Sequence, residues 1–204
     1  MYNFDEANLV NILSGCSVKK RVAFAAATAA RQINNYRWYA EKYEKSKEYE
    51  LQNNMNLIWE SLASDTIDHN RLQAHLTEVM NLMPDDNDEW DVRHTLAEDA
   101  VSSAAYSFRA LLTSAPQEAA WAARRAYEAA DQASIINLRD QSTFTEFEVL
   151  SHKYVQRELG RQLRDIELLN ANIDDNSVIK VKNTANCEAL LTDEELANLL
   201  DSSA

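Results

Sequence analysis

Residues 96–112 read Leu-Ala-Glu-Asp-Ala-Val-Ser-Ser-Ala-Ala-Tyr-Ser-Phe-Arg-Ala-Leu-Leu. Within them Leu96, Ala100, Ala104, Phe108 and Leu111 recur at steps of three and four, flanked by Ala97, Val101, Ala105 and Leu112. That spacing lines one side of an α-helix, and the flanking residues widen the stripe beyond what a surface helix needs. The segment predicts a central, mostly buried helix. Neither Gly nor Pro interrupts it, and the same is nearly true of the whole chain. Gly15, Gly160, Pro84 and Pro116 are the only ones in 204 residues. An average chain carries about 7% Gly and 5% Pro, so roughly twenty more are expected. Without glycine there are few tight hairpins and no glycine-rich phosphate loop. The chain reads as almost wholly helical.

Working outward, helix starts are marked by capping-box spacing. It occurs at Asn3 with Glu6, Thr95 with Glu98, Ser114 with Gln117, Thr143 with Glu146 and Thr192 with Glu195. The Thr95 pair also fits inside a helix that starts near Asp91. Pro116 falls in a first turn, where its missing N–H costs nothing. Apolar spacing predicts helices over 18–35, over 36–63 with a break in the polar stretch 48–54, and over Leu72–Met83, ending at Pro84. Further helices are predicted over 115–140, which is rich in alanine, and over 144–171. The stretch 170–186 turns to Asn and Asp, and its Val178, Ile179 and Val181 predict one extended segment. A short acidic helix follows at 192–201, with Leu196, Leu199 and Leu200 on one side. The fold class is therefore all-α: a single compact bundle of six or seven mostly antiparallel helices with an irregular C-terminal extension. Residues 1–182 form the helical domain and 183–204 the extension.

The chain is 46% hydrophobic and 26% charged, a globular balance. No apolar run approaches the roughly 18 residues of a membrane span, and the acidic N-terminus lacks a basic signal region. Cys16 and Cys187 lie far apart with no CxxC pattern, which fits two free thiols in a reducing compartment. A cytoplasmic location with no membrane association is the expectation. With 33 acids against 20 bases and a net charge of −13, nucleic acid is excluded as a partner, because phosphate neutralisation needs clustered Lys and Arg. A basic protein partner suits this charge.

Several segments resemble those of the YjaG-like bacterial proteins, a domain of unknown function numbered 416. The run Arg31-Gln32-Ile33-Asn34-Asn35-Tyr36 is similar to that family's Arg…Asn-Tyr segment, and Leu57-Ile58-Trp59-Glu60-Ser61-Leu62 to its Leu-Ile-Trp-Glu segment. The acidic loop at Pro84, then Asp99-Ala100, then Arg164-Asp165-Ile166-Glu167-Leu168 follow in the family's order. The resemblance spans about 18–182 and implies an all-helical fold. It supplies no catalytic residues.

Candidate chemistry is sparse. Residues 84–91 carry five carboxylates (Asp85, Asp86, Asp88, Glu89 and Asp91), a docking face for basic residues or a cation loop. Calcium loops place ligands at alternate positions around a Gly, which this segment lacks, so a solvated loop with Asp91 capping the next helix is the plainer reading. His94 with Glu98 and Glu148 with His152 step by four, whereas di-iron bundles need a Glu-x-x-His step of three. Neither pair predicts a metal, and no cofactor is expected. Asp99, set in the apolar helix near Tyr106, is either a general base with a raised pKa or one half of a buried ion pair, with Arg31 or Arg164 as partner. Arg157, Arg161 and Arg164 form a stripe that reads as salt-bridging more cheaply than as an anion groove. Tyr36, Trp38, Tyr39 and Tyr43 read as core. No Ser-His-Asp order, nucleophile elbow, P-loop or HExxH is present.

Function is expected in one of two classes. The first is a non-enzymatic interaction protein, most concretely an acidic bacterial inhibitor or immunity protein that masks a basic partner through Asp85, Asp86, Asp88, Glu89 and Asp91. The second is a small-molecule or metal-binding protein, or an enzyme, with an interhelical pocket around Asp99, Tyr106 and Arg164. A homodimer through an alanine-rich face is a further expectation.

Overall fold

Free amides at each helix start must find an acceptor, and at several of the helices a polar side chain ahead of the apolar run supplies one. The computed structural model describes residues 1–64, 68–85, 91–139, 143–171 and 176–201. Among the described residues there are eleven α-helices and no strand. They are α1 (Glu6–Ser14), α2 (Val18–Ala30), α3 (Ile33–Tyr43), α4 (Glu50–Ala63), α5 (His69–Met80) and α6 (Val92–Thr113). Then follow α7 (Pro116–Leu138), α8 (Glu146–Ser151), α9 (Lys153–Ala171), α10 (Asn176–Asn186) and α11 (Asp193–Asp201). Asp5, not Asn3, caps α1 by accepting the Asn8 amide at 3.0 Å. Thr145 and Glu148 form the capping box of α8, two residues later than the Thr143–Glu146 spacing suggested. Asp91 caps α6, which places Thr95 inside that helix. Ser114 takes the left-handed conformation (φ 59°) between α6 and α7, and Pro116 occupies the first turn of α7. Thr192 and Glu195 pair as expected, each accepting the other's amide at 3.0–3.2 Å.

The count of six or seven helices is too low because long stretches break for tertiary reasons. The predicted 18–35 helix divides at Arg31 and Gln32, where the Arg31 carbonyl accepts the Leu190 N–H at 2.6 Å. A 3₁₀ turn at Lys45–Lys47 separates α3 from α4. His152 is extended (ψ 146°) between α8 and α9, and the Gln156 amide caps the freed Leu150 carbonyl at 2.8 Å. The expected extended segment is instead α10. Val178, Val181 and Ala185 recur at helical spacing and are buried, as is Ser177, against α2 and α9. Tertiary burial overrides β-branched preference there.

At the centre α6 and α7 run antiparallel. Asp99 meets Arg125, Ser103 meets Ala122 and Arg109 meets Glu118, so numbers fall on one helix as they rise on the other. Ala119, Ala122, Ala123, Ala126 and Ala130 of α7 are fully buried, as are Ala23 and Ala25 to Ala27 of α2. Small side chains let these helices approach closely. These alanines are thus packed within the chain's own core.

A second cluster joins the ends of α6 and α7 to α9 and the C-terminal segment, where Leu190, Leu191, Leu196 and Leu199 are 0–1% exposed. The last stretch docks on the bundle. At the other end Gln156 holds Tyr2 from both sides, accepting its N–H at 2.7 Å and donating to its carbonyl at 2.9 Å. A Cβ on Gly160 would stand 3.3 Å from the Tyr2 ring, so glycine allows that close approach. No helix among the described residues is long and apolar enough to cross a membrane.

Candidate functional site

Of the acidic loop, Asp85 is exposed, whereas Asp86, Asp88 and Glu89 lie outside the described residues. Asp91 faces inward. Its carboxylate accepts the Tyr43 hydroxyl at 2.9 Å and the Arg93 amide and guanidinium at 2.8 Å each. Burial works against its charge, but these hydrogen bonds outweigh it and hold the carboxyl at about 2. The Asp91 N–H donates to His94 Nδ1 at 3.1 Å, so that nitrogen carries no proton in this bond. His94 is wholly buried against the rings of Tyr39 and Tyr43, 5.2 and 4.5 Å away. Asp91 and His94 thus start α6 and pin it to α3. Arg93 covers the Trp38 ring at 4.5 Å, so the aromatic cluster of α3 packs against the start of α6. Among the described residues, no group of three or more His, Cys, Asp or Glu is arranged to hold a metal ion.

Asp99, Tyr106 and Arg164 engage different partners. Asp99 is 5% exposed and meets Arg125 at 3.2 Å, neither Arg31 nor Arg164. Burial, offset in part by Arg125, raises its carboxyl to about 7. Tyr106 packs on Trp121 (centroids 5.4 Å apart), with Arg109 over both rings.

The arginine stripe of α9 reaches the C-terminal segment. Arg157 grips Glu195 with two bonds of 2.7 and 3.0 Å, and Arg164 grips Glu188 with two of 2.6 and 2.9 Å. Between them Arg161 donates to the Ala189 carbonyl at 2.8 Å. Side chains three and four apart on a helix share a face, so one stripe clamps residues 188–195.

Behind this stripe lies the arrangement that sequence reasoning missed. Arg31 is fully buried, with Nε and Nη2 on Glu158 at 2.9 and 2.8 Å and Nη1 on Asp165 at 2.6 Å. Gln162 donates to Glu158 at 2.9 Å and to the Ala123 carbonyl at 3.1 Å, tying α9 to α7. Burial opposes the Arg31 charge, and the fields of Glu158 and Asp165 more than restore it. The available signal was a lone arginine at the end of a run of buried alanines, which demands carboxylates from elsewhere. Next to it, the side-chain amides of Gln32 and Asn35 and the hydroxyl of Tyr36 are buried without hydrogen-bond partners among the described residues. They belong to the same 31–36 segment that carried the resemblance.

Residues 10–191 match the family described as protein of unknown function (DUF416). The crystal structure of a DUF416 family protein from Shewanella baltica OS155 is similar in fold, with a TM-score of 0.73 at 18% identity, over 86% of this chain and 92% of that one. No curated protein matches the chain. The chain belongs to the DUF416 family.

Proposed function

We propose that this DUF416 chain is a non-catalytic binding protein that masks a basic protein partner, in its most concrete form a bacterial inhibitor or immunity protein. The supporting observation is where the charges go. Arg31, Arg93, Arg125, Arg157, Arg161 and Arg164 are spent on the chain's own carboxylates. Glu60, Glu98, Glu146, Glu167 and Glu194 stand exposed with no ion pair among the described residues. These unpaired glutamates face solvent in a chain whose net charge is −13. Such a field attracts a basic surface over roughly the Debye length, about 8 Å at physiological salt.

The test is capture of partners with the tagged chain at low and high salt, followed by reconstitution with the purified partner. Replacing Asp85, Asp86, Asp88 and Glu89 by Lys together slows association at least about tenfold and flattens its salt dependence. Unchanged rates remove that face from the proposal, and the absence of any salt-sensitive basic partner overturns it. The competing reading, a ligand pocket around Asp99, Tyr106 and Arg164, has in its favour the carboxyl of Asp99 held at about 7. Ligand-induced thermal stabilisation that is lost in Asp99→Asn would support it instead.

A further inference from the structure

We propose that the cleft between α7 and α8 binds an organic amine with an apolar body. The cleft encloses about 460 Å³ and is walled by Tyr127 and Ile135 of α7 and by Phe144, Val149 and Leu150 at α8. That volume lies within the range of small-molecule sites, about 300–1,000 Å³. Asp131 sits between Tyr127 and Ile135, each four residues away, so all three share one stripe of α7.

Among the described residues the Asp131 carboxylate has no hydrogen bond and no ion pair. Burial and the charge of Glu128 both push its pKa upward, and nothing opposes them. Glu128 itself is taken by Arg124 at 2.8 Å and Arg125 at 3.1 Å, so the nearby cations are already engaged. A half-buried carboxylate in an apolar cleft lacks only a cation. Glu146 at the rim adds a second negative charge and repels acids. The Tyr127 and Phe144 rings suit both an ammonium group and the hydrocarbon that carries it. This site is independent of the acidic loop and of any protein partner.

The test is an NMR titration of the full chain with 2-phenylethylamine and with n-alkylamines from butyl to octyl. The neutral 2-phenylethanol and the acid 3-phenylpropionate serve as matched controls. Expected is saturable binding of an amine, with shifts centred on the amides of Tyr127, Asp131, Ile135, Val149 and Leu150. The amine binds about tenfold more tightly than the alcohol, the order given by one charge-assisted hydrogen bond, and the acid does not saturate. Asp131→Asn removes that advantage and leaves the alcohol's affinity in place; Asp131→Ser serves as a second variant if the first loses its helical circular dichroism. Absence of saturable binding by every amine, equal affinity for amine and alcohol, or an advantage that survives in both variants overturns the proposal.

Discussion

The Leu190 N–H donates to the main-chain carbonyl of Arg31 across 2.6 Å, so one contact both ends α2 and seats the C-terminal segment. The Arg31 side chain holds Glu158 and Asp165 of α9. The next arginines along α9 reach back out to Glu188 and Glu195. The end of the chain is thereby wired to the core.

The buried leucines of that segment give the first prediction. Leu191 is wholly buried in the cluster formed with α7 and α9. Leu191→Ala removes it at a cost of about 2–5 kcal/mol. For a chain of this size that lowers Tm by on the order of 10 °C. Thermal unfolding followed by circular dichroism measures it. A shift within a degree or two would mean that the segment is not part of the cooperative unit.

Removing Arg31 alone strands two buried carboxylates. Arg31→Met is expected to cost about 3–5 kcal/mol, because Glu158 then loses its bidentate partner and Asp165 keeps only the more distant Arg164, at 3.4 Å. Replacing Glu158 and Asp165 by apolar residues in the same chain recovers most of that loss, since well-packed apolar groups often match a buried ion triad. Urea unfolding of the single and triple variants tests this, and a triple variant no better than the single one would refute the account.

Helix identity was legible wherever apolar spacing ran unopposed, as in 96–112 and in the alanine run of α7. The breaks at Arg31 and His152 were not, because each goes with a hydrogen bond that spacing does not reveal, from the distant Leu190 N–H to Arg31 and from the Gln156 side chain to Leu150. The valines of α10 misled because β-branching speaks for strands, while burial against α2 and α9 decided for a helix. Among the candidate residues, the salt-bridging role of the arginine stripe was readable from its spacing with acids nearby. The partner of Asp99 was not, since register between α6 and α7 selects Arg125 over the arginines the sequence suggested.

Asp99 makes stability fall as pH rises. Its folded carboxyl titrates at about 7, above the unfolded value of about 3.9. The stability linked to its protonation is therefore complete below about pH 4 and lost as pH climbs through 7. The contribution is on the order of 4 kcal/mol across that window. Asp99→Asn, which stays neutral, is expected to match the wild type near pH 4 and to be the more stable protein at pH 8. Parallel Tm–pH profiles for the two would place the titration elsewhere.

Asp91 works in the opposite sense. Its folded carboxyl sits at about 2, below the unfolded value of about 3.9. Its stabilisation is present above about pH 4 and disappears as pH falls through 2. At neutral pH the cap and its bond from Tyr43 together are worth about 2 kcal/mol. Asp91→Ala is expected to lose that amount at pH 7 and almost nothing at pH 2. Tyr43→Phe loses the part carried by the hydroxyl, which donates to Asp91 at 2.9 Å. Denaturant unfolding at both pH values checks the pair. A deficit in Asp91→Ala that persists undiminished at pH 2 would show that the side chain acts through packing rather than charge.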